Sequence, residues 1–491
     1  LATGAPPLAG LDPATAIRRK LELGSYEALV GDARLPALLA DLLRGMLAED
    51  PDHRPPPALL ADPAAARARR VAARPPRRAQ HPLRIGAITA TGARSLAFAI
   101  ATAPDAGLRA LRSGTVDLWL RRELGDTTLS MRLEETLRLR GADRGAEDAR
   151  GEALLLVRAA ATLDPLVPVC WPGTAIWPDG LGPALAAARA AGAAAQGSDP
   201  GASGGQDPAT AGDSVRRLIS LVQAEAVGAW ADTRSGRADP MAHRAEARQW
   251  RGWLQTPGPA GGMYRLLYAL NPLLLCASPL LAGRAVATLA TLPVALNAVA
   301  TPVPPAGDDA VDAHIMAFVA ARQEHGAGGL AGPGPESGDR ADKAAGIVAP
   351  FGPPGVHPFV QMEVLARLQA RFHPLPLPAL ARWLAAVATP LTAAWRHRGR
   401  RAEVAERLGV LAEAGLIAPM LALLRDPSSR LADERGFLAA TQEMARIDAA
   451  LAALETGAPG RAALARQWGQ ELAAGVGIAA LAAVLGMAAL G

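Results

Sequence analysis

Group transfer from a nucleoside triphosphate needs a glycine-rich loop over the phosphates, a strand lysine, a catalytic aspartate and a metal-binding aspartate. The chain has two lysines, Lys20 and Lys343, and neither sits in a Val-Ala-Ile-Lys strand. No His-Arg-Asp and no Asp-Phe-Gly occurs. Gly201 to Gly205 is glycine-rich, but it lies in a polar stretch with no Lys-Ser/Thr after it, so it is not expected to cradle phosphate. The two cysteines, Cys170 and Cys276, lie far apart. They cannot make a disulfide framework, and a reduced, cytoplasmic setting is expected. Cys170 stands beside Trp171 with no histidine or basic motif near it, which predicts a buried thiol rather than a nucleophile. His53 and His81 flank prolines. His243, His314, His325, His357, His373 and His397 are scattered and read as surface or core residues without a ligand set. Neither a Gly-x-Ser-x-Gly elbow nor a His-Glu-x-x-His helix is read here. No residue is therefore assigned a catalytic, cofactor-binding or metal-binding role.

The elements around these residues are more informative than the residues themselves. Leu35, Leu38, Leu39, Leu42, Leu43, Met46 and Leu47 recur at helical spacing and give one apolar face. Asp50-Pro51 ends that helix, because the residue before proline avoids the α region. Arg54-Pro55 follows, and a second short helix closes on Asp62-Pro63.

This run resembles the last helices of a eukaryotic-type Ser/Thr protein kinase domain, where the pattern is M-L-x-x-D-P-x-x-R-P-x-x-x-x-L-L-x-x-P. Thr3-Gly4-Ala5-Pro6-Pro7-Leu8-Ala9-Gly10 is similar to the family's T-G-x-x-P-F-x-G, with Leu8 in place of Phe. Ile17, Leu21, Tyr26 and Leu29 would belong to the helix and loop that follow. The positions carrying the resemblance are Gly4, Pro7, Asp50, Pro51, Arg54 and Pro55, within residues 3 to 63. It implies that Arg54 pairs with the glutamate of an Ala-Pro-Glu motif preceding Leu1. It also implies that the catalytic part of the domain lies upstream, so the chain reads as an N-terminally truncated bacterial kinase-like protein. ATP and Mg²⁺ are implied for the full-length parent only, and no cofactor for this chain. A leucine at position 1 and the lack of a signal peptide agree with that expectation.

A second resemblance follows. Arg94-Ser95-Leu96-Ala97-Phe98-Ala99-Ile100, Gly107 to Gly114 and Val116-Asp117-Leu118-Trp119-Leu120-Arg121 are similar to a small module found beside kinase-like domains in bacteria. Trp119 is expected in its core.

The 491 residues are 50% hydrophobic but only 4% aromatic, and alanine and leucine dominate, which predicts a mainly α-helical chain. The net charge of +5 comes from a basic complement that is almost wholly arginine. Its clusters, Arg67 to Arg84 and Arg396 to Arg401, lack interleaved aromatics, so they read as solvated linkers or helix ends and no nucleic acid is expected.

Composition shifts divide the chain. Residues 1–70 end the kinase-like domain, 71–84 form a linker and 85–140 a small helical module. Residues 141–194 form a helical and loop region, 195–213 a flexible linker and 214–325 a helical region. A low-complexity loop at 326–355 precedes a helical region at 356–470, with a break at Asp426-Pro427 and an amphipathic segment from Asp433 to Glu455. No fixed-period repeat is read. Tyr264 to Leu281 is apolar, but its prolines and polar groups favour a buried hairpin over a membrane span.

Leu472 to Gly491 differs, being a run of 20 residues without charge, long enough for the ~30 Å hydrocarbon core. Leu472, Leu481 and Leu490 supply apolar bulk, and Gly475, Ala479 and Ala483 are spaced for close helix packing. Arg461 and Arg466 precede it, which places the N-terminal side in the cytoplasm. The expected architecture is thus the terminal helices of a kinase-like large lobe, further helical regions and a C-terminal transmembrane helix. The expected partners are the inner membrane and proteins that bind the helical regions. The rival expectation is a non-enzymatic, membrane-anchored scaffold or pseudokinase module.

Overall fold

The computed structural model describes residues 7–62, 64–65, 77–139, 149–197, 208–234, 240–301, 309–327 and 356–490. They are mainly helical, as the composition requires. The chain divides into two units, one of Leu1–Leu274 with Ala313–Pro350, the other of Leu275–Asp312 with Phe351–Gly491.

The first unit opens with α1 (Pro13–Leu23), α2 (Ser25–Val30) and α3 (Ala37–Met46). Asp12 caps α1 by accepting from the amides of Ala14 at 3.1 Å and Thr15 at 3.0 Å, satisfying donors that a helix start leaves orphaned. The leucine face of α3 is only half-buried. Among described residues 7–62, Ala28 and Gly45 alone are fully buried.

The rest of the unit contains one arrangement twice. A hairpin, β1 (Leu83–Ile85) and β2 (Ile88–Ala90), leads into α4 (Ala93–Thr102), α5 (Pro104–Arg112), α6 (Thr115–Arg122), α7 (Thr127–Leu139) and α8 (Ala149–Leu163). A second hairpin, β3 (Val169–Trp171) and β4 (Thr174–Ile176), leads into α9 (Leu181–Gly197), α10 (Pro208–Gln223), α11 (Ala226–Thr233), α12 (Pro240–Gln255) and α13 (Gly262–Leu270). Both hairpins are antiparallel with two-residue turns, closed by Ile85 opposite Ile88 and by Trp171 opposite Thr174.

The third helix of each set starts after a residue in the left-handed region, Gly114 (φ 71°) and Glu225 (φ 55°). Glycine adopts that conformation without steric cost, whereas glutamate is strained there. Each of these helices carries Val-x-x-Trp, and both tryptophans are buried. The Trp119 indole donates to the His81 carbonyl at 2.8 Å, and the Trp230 indole donates to the Val167 carbonyl at 2.8 Å. His81 and Val167 each lie two residues before their hairpin. The tryptophan therefore locks the third helix to the start of the hairpin in both copies.

The first copy also corrects the expected boundaries. The module begins with β1 inside the expected 71–84 linker, and 85–140 is not wholly helical. Strands of three residues carry too few side chains to show an alternating pattern. Cys170-Trp171 lies in a strand, and Pro172-Gly173 is its turn. Helices α9 and α10 enter the expected 195–213 linker from both sides, while 198–207 lies outside the described residues. Most of the 326–355 loop also lies outside them. Tyr264 to Leu281 is not a hairpin: α13 ends before Asn271-Pro272, and a single turn at Pro279–Leu281 follows.

The last helix of the first unit is α15 (Ala313–Ala327). Its Arg322 lies over the Phe318 ring and donates to the carbonyls of Tyr268, Asn271 and Leu274 at 3.0, 3.2 and 2.8 Å. Arg234 does the same one copy earlier. It lies 4.0 Å over Trp230 and donates to the Pro165 carbonyl at 2.7 Å. Each arginine supplies the donors that the end of the preceding helix lacks.

The second unit holds α14 (Leu292–Val299), α16 (Pro358–Phe372), α17 (Pro378–Ala388), α18 (Arg398–Glu413), α19 (Ile417–Arg425) and α20 (Pro427–Leu490). Two buried glutamines on α16 pin its loops. Gln361 accepts from the amides of Ala310 at 2.9 Å and Val311 at 3.2 Å. Gln369 accepts from Ile417 at 3.0 Å and donates to the Gly415 carbonyl at 2.8 Å. A buried amide with both ends bonded fixes a loop where an apolar side chain cannot.

Candidate functional site

Helix α20 begins where the Asp426-Pro427 break is expected. Asp426 accepts from the amides of Ser428 at 2.9 Å and Ser429 at 3.3 Å. The Ser428 hydroxyl, donating at 2.7 Å, and then these amides hold its carboxyl below the usual carboxylate range. The first two turns pack on the unit. The Trp395 indole donates to Ser429 Oγ at 3.2 Å, and Arg430 covers the Trp395 ring at 4.1 Å. Asp433 is buried and accepts from the amides of Arg396 at 2.9 Å and His397 at 3.0 Å.

Beyond this foothold the helix leaves the unit. From Phe437 to Ala488 every residue whose burial is described is exposed except Gly457. The helix has 64 residues, about 96 Å at 1.5 Å per residue. It runs through Pro459, which leaves the Glu455 carbonyl without its usual helical donor.

No boundary separates the expected 356–470 region from the expected anchor. Leu472, Gly475, Ala479, Leu481 and Ala483 are exposed residues of this one helix, and Leu490 is its last residue. Among the described residues this is the one helix long and apolar enough to cross a membrane. The described side chains of its apolar end are exposed, and burial in lipid is what such a surface favours.

The Asp-Pro segment makes a tight reversal after α3. Gly4 lies outside the described residues, and Pro7 is exposed in a turn. Asp50 caps a single turn at Pro51–His53, accepting from Asp52 N at 2.9 Å. Pro55 packs under Gly45, where an added methyl would sit 3.5 Å from the proline ring. Arg54 is exposed, and its Nε donates to the Ala48 carbonyl at 2.9 Å. It closes the local chain reversal and has no buried carboxylate partner among the described contacts. The glutamate that the resemblance pairs with Arg54 is expected before Leu1.

The carboxylate that ties this segment to the first module is one residue before Asp50. Glu49 accepts from the Ser25 amide and lies 3.1 Å from Arg94, which also contacts Asp164. Sequence reasoning assigned neither Glu49 nor Asp164 a role.

Cys170 is half-buried and donates to the Pro168 carbonyl at 3.3 Å. Burial, with the Asp164 charge nearby, pushes its thiol up to about 12. A nucleophilic cysteine needs the opposite shift. Cys276 is buried. His243 does have a carboxylate at hand, Glu246 at 3.1 Å, and lies edge-on to Trp230. His314 stacks on Tyr264 and bonds the Tyr268 hydroxyl at 3.0 Å inside the core. His357 and His397 cap helices by accepting from Phe359 and Arg400 at 3.3 Å. His81 shares Glu123 Oε2 at 2.9 Å, and the side chain of His325 lies outside those described. Among the described residues no group of three or more His, Cys, Asp or Glu is placed to hold a metal.

Gly201-Ala202-Ser203-Gly204-Gly205 does match Gly-x-Ser-x-Gly letter for letter, contrary to the expectation above, but lies outside the described residues. A cleft of about 320 Å³ between α1 and the start of α4 is lined by Arg77, Arg78 and Arg94. Each is already engaged: Arg77 by the Gly125 carbonyl, Arg78 by the Glu22 carbonyl and Arg94 by its two carboxylates. No family model, curated protein or solved structure matches the chain.

Proposed function

We propose that the chain is the non-catalytic, membrane-anchored C-terminal part of a Ser/Thr protein kinase-like signalling protein. Its bulk lies on the cytoplasmic side of the inner membrane. The observation that carries the anchoring is the exposed apolar end of α20, preceded by Arg461 and Arg466. The kinase-like assignment is supported by the spacing of Gly4, Pro7, Asp50, Pro51, Arg54 and Pro55 alone. ATP, Mg²⁺ and a protein hydroxyl would then belong to the parent's preceding region. The helical units would serve as surfaces for protein partners.

The local bond of Arg54 to Ala48 favours a second reading, a non-enzymatic membrane-anchored scaffold whose Asp-Pro segment is complete in itself. The coding sequence preceding Leu1 separates the two. A glycine-rich loop, a strand lysine, His-Arg-Asp and Asp-Phe-Gly there support the kinase parent. A preceding sequence without them overturns it and leaves the scaffold.

A further inference from the structure

Many of the large apolar residues of α20 ahead of its apolar end follow a seven-residue period, with Leu431, Leu438 and Leu464 outside it. Phe437, Met444 and Leu451 repeat every seven positions, and Ala440, Ile447 and Leu454 do so three residues later. These are the a and d positions of a heptad, the spacing that keeps one helix face against a partner helix. The charged residues of this stretch, Glu443, Arg446, Asp448 and Glu455, all fall elsewhere. The same register continues through Ala458, Arg461, Ala465 and Trp468 to Leu472 at the start of the apolar run. Of the eleven a and d positions from Phe437 to Leu472, only Arg461 is charged. The seam spans five heptads with Pro459 at an outward b position, and the three heptads before that proline reach the three to four that mark a coiled coil.

Arg396 lies over the Phe437 ring at its start, and beyond that the seam is open: Met444 is 58% exposed, Ile447 45%, Leu451 52% and Trp468 63%. From these observations we infer that α20 pairs with α20 of a second copy of this chain, parallel and in register, along Phe437 to Leu472. A second copy is the occupant that fits. Chains held by the same apolar end share one orientation and one depth, so each seam residue meets its own counterpart without a search. This orientation rests on the anchoring proposed above; the pairing face itself does not. Charged residues flank the seam, and one facing pair, Glu443 and Asp448 of the other helix, is like-signed. Salt screens that repulsion, so pairing strengthens as ionic strength rises. Arg461 is a polar interruption at a d position, of the kind that fixes register at a cost in stability.

Cysteine cross-linking of the full chain in vesicles tests the pairing. Met444→Cys and Leu451→Cys occupy the seam, whereas Gln442→Cys and Ala449→Cys lie on the opposite face. The unaltered chain, with Cys170 and Cys276, is the background. Mild oxidation is expected to give disulfide-linked dimers from the seam variants several-fold faster than from the outer-face variants. Adding Ile447→Asp, at an exposed position, is expected to abolish the seam cross-link while leaving membrane retention unchanged. Equal cross-linking on both faces, none on either, a product of another mass, or a cross-link that survives Ile447→Asp overturns the pairing. A chain that cross-links at Met444 but is recovered in the soluble fraction removes the anchor and leaves the pairing standing. A chain retained in vesicles without seam cross-links does the reverse.

Discussion

Arg94 holds Asp164 across the first module: its Nε lies 3.3 Å from Asp164 Oδ2, and the aspartate side chain is only 6% exposed. Arg94 opens α4 and Asp164 follows α8, so the contact ties the first helix of the module to its last. The second copy makes the same tie with neutral groups, Asn271 Nδ2 donating to the Gly182 carbonyl at 2.9 Å. Asp164-Pro165 and Asn271-Pro272 occupy equivalent places after α8 and α13.

Replacing Arg94 with alanine leaves Asp164 buried with one remaining amide donor, Leu166 at 2.9 Å. A hydrogen bond to a charged group contributes roughly 1.5–3 kcal/mol. Protection of the α8 amides against hydrogen exchange is expected to fall by about that amount. Glu49→Gln changes the other partner of Arg94, which is 32% exposed, and is expected to cost under about 1 kcal/mol. Equal effects from the two variants would show that Asp164 does not depend on Arg94.

The N-terminal segment is held by little else. Its attachments to the first module include the Glu49–Arg94 pair and the Arg78 bond to the Glu22 carbonyl. Fully buried residues within it are few. Local opening is easiest where apolar contacts are sparse. Amides of α1 to α3 are therefore expected to exchange faster than those of α4 to α7 in the full chain. The reason is sparse burial. Exchange as slow in α3 as in α4 would contradict this.

The sequence showed what is long or bulky. The long apolar end of α20 was legible because a run of 20 residues without charge stands out by composition, and Trp119 was legible as core because a tryptophan on an amphipathic helix goes inward. The hairpins were not legible, since Leu83-Arg84-Ile85 and Val169-Cys170-Trp171 are too short to show a period. The duplication escaped for the same reason. What the two copies share is an αL residue, Val-x-x-Trp and a carbonyl two residues before a hairpin, and the last of these leaves no mark in residue types. The foothold at Asp433 was equally silent, because a buried aspartate bonded to two loop amides reads in sequence as one more surface charge.

Cys170 supplies a test by pH. Its folded-state value is raised from 9.0 to about 12 by burial, with Asp164 adding to it, so the folded chain holds the thiol proton more tightly than the unfolded chain. The stability from this group is fully present below 9.0 and is lost as pH rises from 9.0 toward about 12. The thiolate is the reactive form. Iodoacetamide at pH 8 is expected to leave Cys170 unmodified in the native chain and to modify it after denaturation. Rapid native-state alkylation, located by peptide mass, would mean that the thiol is open and activated.

The anchoring of α20 is tested where its apolar end is longest in lipid. Leu481 is 63% exposed and lies near the middle of the run from Leu472 to Leu490. An aspartate at the centre of a spanning helix costs about 2.5–3.5 kcal/mol on insertion scales. Leu481→Asp is therefore expected to release much of the chain from membranes under carbonate extraction. Deletion of residues 472–491 should release all of it. Val410→Asp is the control: Val410 is 65% exposed on α18, so the same charge added there should leave both fold and partitioning unchanged. Retention of the Leu481→Asp chain at the level of the unaltered chain would show that the helix is held by a protein surface rather than by lipid. An unaltered chain that partitions into the soluble fraction would make α20 a solvent-facing helix and remove the membrane from the reading.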